Sequence, residues 1–79
     1  MTLDKLPIGK SAVVVNIGGE EKLRCHLLDM GLTPRTEVTV RKTAPFGDPI
    51  ELCLRGYTMT IRKDDAAKIE VRPFEEVQG

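Results

Sequence analysis

Three side chains able to hold a metal ion crowd one short stretch. Cys25, His26 and Asp29 all fall between Glu20 and Met30. On a helix, Cys25 and Asp29 stand at i, i+4, and His26 and Asp29 at i, i+3, so each pair could converge on one ion. Cys25 and His26 are adjacent, however, and adjacent helical residues diverge by roughly 100°. No Cys-x-x-Cys or His-x-x-x-His pattern supplies further ligands. The plain reading of His26 is a residue on the edge of the helix's apolar face. The sharper reading is a weak or intermolecular metal site.

The other reactive residue types are sparser. Cys53 reads as a strand residue pointing outward, and nothing places His26 near it as a base. Asp64-Asp65 is an acidic pair, but at a helix N-terminus such pairs cap the helix and complement its dipole. Arg41, Arg55 and Arg62, with Arg35 and Lys42, alternate with Glu37, Glu51 and Glu70, which describes a mixed solvated face. A single-strand nucleic-acid groove would need stacking aromatics there. Phe46, Tyr57 and Phe74 are the whole aromatic complement, and Tyr57 is assigned to the core. No glycine-rich phosphate loop is present. No catalytic residue is assigned, and no cofactor is expected.

The stretch that stands out is Thr43-Ala44-Pro45-Phe46-Gly47-Asp48-Pro49-Ile50. Its prolines fix φ and remove backbone donors, so a strand cannot run through it. Gly47 permits positive φ, and Asp48 can bond its own backbone two residues on. A stiff hairpin loop with Phe46 near its tip is predicted. Phe46 either folds back over the sheet or stands out as an anchor, beside Leu32 and Pro45. A rigid aromatic loses little ordering entropy on binding.

The elements that must position these residues follow from periodicity. The chain has 79 residues, enough for one small domain. With 41% apolar and 4% aromatic residues, Val, Ile, Leu and Met must fill its core. Twelve basic and 12 acidic residues give no net attraction to nucleic acid or an anionic membrane. No apolar run approaches the ~20 residues of a membrane span. No signal segment is read at the N-terminus, and two cysteines are too few for a disulfide scaffold, so a reduced cytoplasmic setting is expected.

Leu3, Leu6 and Ile8 belong to a lead-in that covers one end of the core. Ser11 to Ile17 is β-branched, with Val13, Val15 and Ile17 assigned to one face. Leu23, Leu27 and Met30 mark one face of a short helix, stopped by Gly31 in the left-handed conformation with Leu32 folding back on the last turn. Val38 and Val40, then Ile50, Leu52 and Leu54, then Tyr57, Met59 and Ile61 alternate as three strands. Pairing Leu54 with Tyr57 sets Leu52 against Met59 and Ile50 against Ile61, and Val40 against Leu52, so one face is apolar throughout. Arg55-Gly56 is a weak hairpin signal, since tight turns favour Asn-Gly or Asp-Gly. Lys63 to Lys68 reads as a single helical turn capped by Asp64 or Asp65. Ile69 and Val71 form a last strand ended by Pro73, and 73–79 reads as a frayed tail. The fold class is therefore all-β: a small SH3-like barrel of about five strands, with a helix after the first and a helical turn before the last. An OB-fold is the rival.

Leu27-Leu28-Asp29-Met30-Gly31-Leu32-Thr33-Pro34, then Ala44-Pro45-Phe46-Gly47-Asp48-Pro49-Ile50, then Arg55-Gly56 and Ile61-Arg62-Lys63, in that order, resemble the FeoA family. The likeness runs from about Leu6 to Val71. It implies the SH3-like fold, shared with the C-terminus of DtxR-type repressors, although this chain has no room for a helix-turn-helix beside the barrel. It also implies a cytoplasmic, non-enzymatic accessory of bacterial ferrous iron uptake that acts on the FeoB-type membrane GTPase permease. Leu32, Pro45, Phe46, Gly47 and Asp48 are the expected partner surface. Weak self-association is left open, and neither nucleic acid nor direct membrane insertion is expected. The second hypothesis is a metal-responsive protein using Cys25, His26 and Asp29. One departure stands out: Arg35 occupies the place where the family has glycine after the turn proline. There it adopts either a type I turn or a strained positive φ.

Overall fold

The computed structural model describes residues 1–74. Its strands are β1 (Ser11–Ile17), β2 (Glu37–Thr43), β3 (Ile50–Leu54), β4 (Tyr57–Ile61) and β5 (Ile69–Pro73). They form one sheet in the order β4-β3-β2-β1-β5, with antiparallel neighbours throughout. Helix α1 (Glu21–Asp29) joins β1 to β2, and the single turn α2 (Lys63–Ala66) joins β4 to β5. A 3₁₀ turn over Leu3–Lys5 precedes β1. The all-β expectation, with its helix and helical turn in those places, holds.

The meander follows the apolar alternation, apart from a shift in the β2–β3 pairing between Val40 and Lys42 that leaves Arg41 as an extra residue. Leu54 pairs with Tyr57, Leu52 with Met59 and Ile50 with Ile61, and Val40 pairs with Leu52. A slip of one residue would turn Val40, Ile50, Leu52, Leu54 and Ile61 to solvent, so the burial of one face selects this register. Arg55 (φ 50) and Gly56 (φ 85) close the β3–β4 hairpin. Positive φ at both positions is the geometry whose twist matches the flanking strands, despite the unfavoured arginine.

The first strand departs from expectation. Ala12, Val14 and Ile17 are buried, whereas Val15 is 37% exposed. The pairing with β5 shifts between Val14 and Asn16, so Val15 and Asn16 together oppose Glu70. This bulge adds one residue and returns Ile17 to the core in the opposite phase. A run of β-branched residues on both faces carries no phase signal that alternation could have detected.

Four smaller corrections follow. Tyr57 is 45% exposed rather than in the core, because its hydroxyl reaches out to donate to the Met30 carbonyl at 2.6 Å. Ile8 is 58% exposed, and of the lead-in's apolar residues Leu3 and Leu6 are the ones that enter the core. Neither Asp64 nor Asp65 caps α2: Arg62 is its N-cap residue, without a side-chain bond of its own. Pro73, placed in a frayed tail, pairs with Ala12 as part of β5. The rest of that tail beyond Phe74 lies outside the described residues.

Candidate functional site

The loop between β2 and β3 is held at three points. The Ala44 N–H donates to the Pro49 carbonyl at 3.0 Å, closing its base. The Gly47 N–H donates to the Ala44 carbonyl at 2.8 Å, closing a turn with Pro45 and Phe46 at its centre. Gly47 has φ 82, the left-handed conformation expected of it. The third point corrects the reading of Asp48. Its carboxylate does not bond its own loop; Oδ1 accepts from the Lys63 N–H at 2.9 Å. Lys63 opens α2, so Asp48 satisfies one of the orphan donors of that turn from another part of the chain. The Asp48–Pro49 peptide is cis.

The outcome is a pinned loop whose tip is Phe46, 100% exposed. Of the two readings of Phe46, the outward one is the one realised. At the base of the loop lies a shallow hollow of ≈ 310 Å³ bounded by Ala44, Pro45 and Pro49 on the loop and by Lys42, Glu51 and Thr60 on the strands. Glu51 draws Arg41 (3.6 Å) and Lys42 (4.0 Å) to the same edge. These pairs are solvent-exposed on the basic side and contribute little to stability.

Leu32 does not belong to this surface. It is completely buried, for a reason visible in the backbone. Gly31 (φ 102) ends α1. The Gly31 N–H donates to the Leu28 carbonyl at 3.0 Å and the Leu32 N–H to the Leu27 carbonyl at 3.1 Å. Those two bonds make a Schellman motif, which folds the following apolar residue back over the last turn. The motif also sits at the wrong end of the sheet. Ile50 begins β3 at the Phe46 loop, whereas Leu54 ends it against Tyr57 and lies near Gly31. Four strand steps of about 3.4 Å separate the two ends by ~14 Å.

That second end is a joint that sequence reasoning missed. Arg55 Nη2 donates to Thr33 Oγ1 at 3.1 Å and to Thr36 Oγ1 at 3.0 Å. The two threonine hydroxyls bond each other at 2.8 Å, and Thr36 is the one buried polar residue among those described, at 5% exposed. Together with the Tyr57–Met30 bond, these contacts tie the β3–β4 turn to the end of α1. The signal was present as an anomaly: an arginine in a turn that prefers asparagine, and threonines three residues apart across Pro34. Arg35 resolves to the positive-φ alternative, φ 76, with the Thr36 N–H donating to the Thr33 carbonyl at 3.1 Å.

The helix triad does not assemble. Cys25, His26 and Asp29 are all exposed on α1. Among the described residues, no group of three or more His, Cys, Asp or Glu side chains is placed to share an ion. Cys25 and Cys53 are both free thiols. Among the described residues, no helix is long and apolar enough to cross a membrane.

Comparison with known proteins bears on the family and the fold. The chain is similar to a Fe(2+) transport protein A/Fe(2+) transporter FeoB fusion protein of Porphyromonas gingivalis, 38% identical over 71 residues. Those residues are 90% of this chain but only 8% of that protein, so the chain spans a small fraction of the curated relative it matches. It superimposes on the FeoA-like protein of Clostridium acetobutylicum with a TM-score of 0.87 at 38% identity, covering 94% of this chain and 86% of that one. The FeoA of Stenotrophomonas maltophilia, a prokaryotic SH3 domain protein solved as a zinc complex, gives a TM-score of 0.78 at 25% identity over 90% and 88% of the two chains. The same fold, and no more than the fold, recurs in IdeR of T. acidophilum at 19% identity, with a TM-score of 0.81 over 92% of this chain and 33% of that one. The model of the FeoA domain matches residues 1–73, and the chain therefore belongs to the FeoA domain family.

Proposed function

We propose that this chain is a non-enzymatic accessory of bacterial ferrous iron uptake that binds the cytoplasmic part of a FeoB-type permease. Its contact is the Pro45-Phe46-Gly47-Asp48 loop. The observation that carries this reading is the full exposure of Phe46 on a loop pinned at its base and to α2. Leaving a large apolar side chain in water is unfavourable by about 1.5–3 kcal/mol relative to burial, and the pinning leaves little flexibility to lose on docking. The fusion in Porphyromonas gingivalis joins the two components in one polypeptide, which supports an association between separate ones. The zinc belongs to the Stenotrophomonas relative; among the described residues Cys25, His26 and Asp29 form no three-ligand group, so the reading here rests on the loop.

The test is a pull-down of the cytoplasmic GTPase part of a FeoB permease with this chain, with and without guanine nucleotide. Wild type is retained, and Phe46→Ala weakens binding about tenfold or more while leaving the thermal midpoint in place, since Phe46 buries nothing. Equal retention of a folded F46A variant, or no retention in any nucleotide state, would overturn the assignment.

A further inference from the structure

The outer side of β1 carries an apolar hollow between two cations. Val13 and Val15 form its floor, Pro34 stands at one wall, and Arg35 and Arg72 flank it, around ≈ 390 Å³. The placement is dictated by pairing. Arg72 lies opposite Val13 on β5. On the other side, the Arg35 N–H donates to the Val14 carbonyl at 2.7 Å and the Val14 N–H to the Thr36 carbonyl at 2.9 Å. The arginines therefore sit one strand away on either side of β1. Neighbouring strands lie about 4.8 Å apart, so their backbones are separated by ~10 Å.

Two features of this hollow run against the local rules of the chain. Val15 is turned to solvent by the β1 bulge, although an aliphatic residue there gains nothing from water. Arg35 is held at φ 76, where glycine would sit without strain. Strained backbone of this kind persists where the surroundings over-determine it and clusters at functional positions. Both arginines are exposed, and among the described residues neither is in an ion pair. Two carboxylates are near in register, Glu37 opposite Val13 and Glu70 opposite Asn16. Neither lines the hollow.

We propose that this hollow docks an extended acidic segment of a partner protein, of the pattern carboxylate–x–aliphatic–x–carboxylate. In an extended chain, alternate residues share a face and the two carboxylates stand about 14 Å apart. The aliphatic side chain between them rests on Val13 and Val15. The carboxylates then meet Arg35 and Arg72, whose backbones are closer together but whose long, exposed side chains are able to span the difference. The charge complementarity selects an acidic occupant, and the apolar floor selects an aliphatic residue at its centre. This surface is independent of the Phe46 loop.

The experiment is an NMR titration of the labelled chain with a blocked Glu-Ser-Leu-Ser-Glu peptide. Lys-Ser-Leu-Ser-Lys and Glu-Ser-Ser-Ser-Glu serve as controls. Saturable shifts are expected at the amides of Val13, Val15, Arg35 and Arg72 with the first peptide only, weakening as salt is raised. Arg35→Gly, which suits the backbone and so stays folded, and Arg72→Gln should each weaken binding about threefold or more. Phe46→Ala should leave it unchanged, which separates this surface from the loop contact. Absence of saturable shifts at millimolar peptide, equal shifts with the lysine peptide, or unchanged affinity in the R35G/R72Q double variant would overturn the proposal.

Discussion

Gly31 and Tyr57 should be energetically coupled, and the coupling can be sized from the geometry. A Cβ added at Gly31 would lie 2.7 Å from the Tyr57 hydroxyl oxygen, 3.7 Å from Leu54 Cδ1 and 3.9 Å from Tyr57 Cζ. Only the first of these is a collision. The tyrosine can swing away, being 45% exposed, but it then loses its 2.6 Å bond to the Met30 carbonyl. That bond is worth about 1 kcal/mol net. Gly31 also has φ 102, and a side chain in a left-handed conformation costs a further 1–2 kcal/mol, roughly. Gly31→Ala should therefore destabilise by about 2–3 kcal/mol. Tyr57→Phe should cost about 1 kcal/mol, through the bond alone. In the double variant the collision is gone and only the backbone cost is added, so the total is also about 2–3 kcal/mol instead of the 3–4 kcal/mol that additivity requires. Denaturant unfolding of the four proteins measures this. Independent sites add to within about 0.5 kcal/mol, so a double variant whose loss equals the sum of the single losses within that margin would refute the packing argument. Calorimetry gives a parallel reading, at about 4–8 °C per kcal/mol for a domain of this size.

Other perturbations address the remaining ties. Asp48→Ala removes the acceptor for the Lys63 N–H and should cost about 1 kcal/mol, with faster hydrogen exchange at the Lys63 amide as the local readout; Asp48→Asn should cost less. Arg55→Ala loses both threonine contacts and should destabilise by about 1–2 kcal/mol in urea unfolding, while the Thr33–Thr36 bond keeps the buried hydroxyl satisfied. Arg35→Gly relieves a positive φ, offset in part by the greater freedom of glycine in the unfolded chain, and should raise stability by about 0.5 kcal/mol in the same assay.

The amino-acid sequence by itself determined the order of elements and the pairing of the meander. Period-two alternation in β2, β3 and β4 sets the apolar side chains on one face in only one register, so arithmetic sufficed for the pairs named above. It determined the end of α1, because glycine followed by leucine is the local chemistry of a Schellman turn. It marked the Pro45–Pro49 loop and placed Phe46 near its tip, where backbone restriction is written into residue type; whether the ring folds back or stands out was left to the structure, which exposes it.

The tertiary structure alone decided the rest, and each case involves a contact between segments distant in sequence. The phase of β1 depended on a bulge against β5, which a two-faced run of valines does not reveal. Asp48 was free to bond locally until α2 brought the Lys63 N–H within reach. Leu32 carries the family motif as plainly as Phe46, yet packing buried one and left the other in water, at opposite ends of β3. Val13, Val15, Arg35 and Arg72 have no pattern in common along the chain. They meet because a bulge, a strained turn and a last strand converge on one side of β1, and the pairing of β1 with its neighbours, unlike that of the meander, is written in no periodicity and is set only once the sheet has closed.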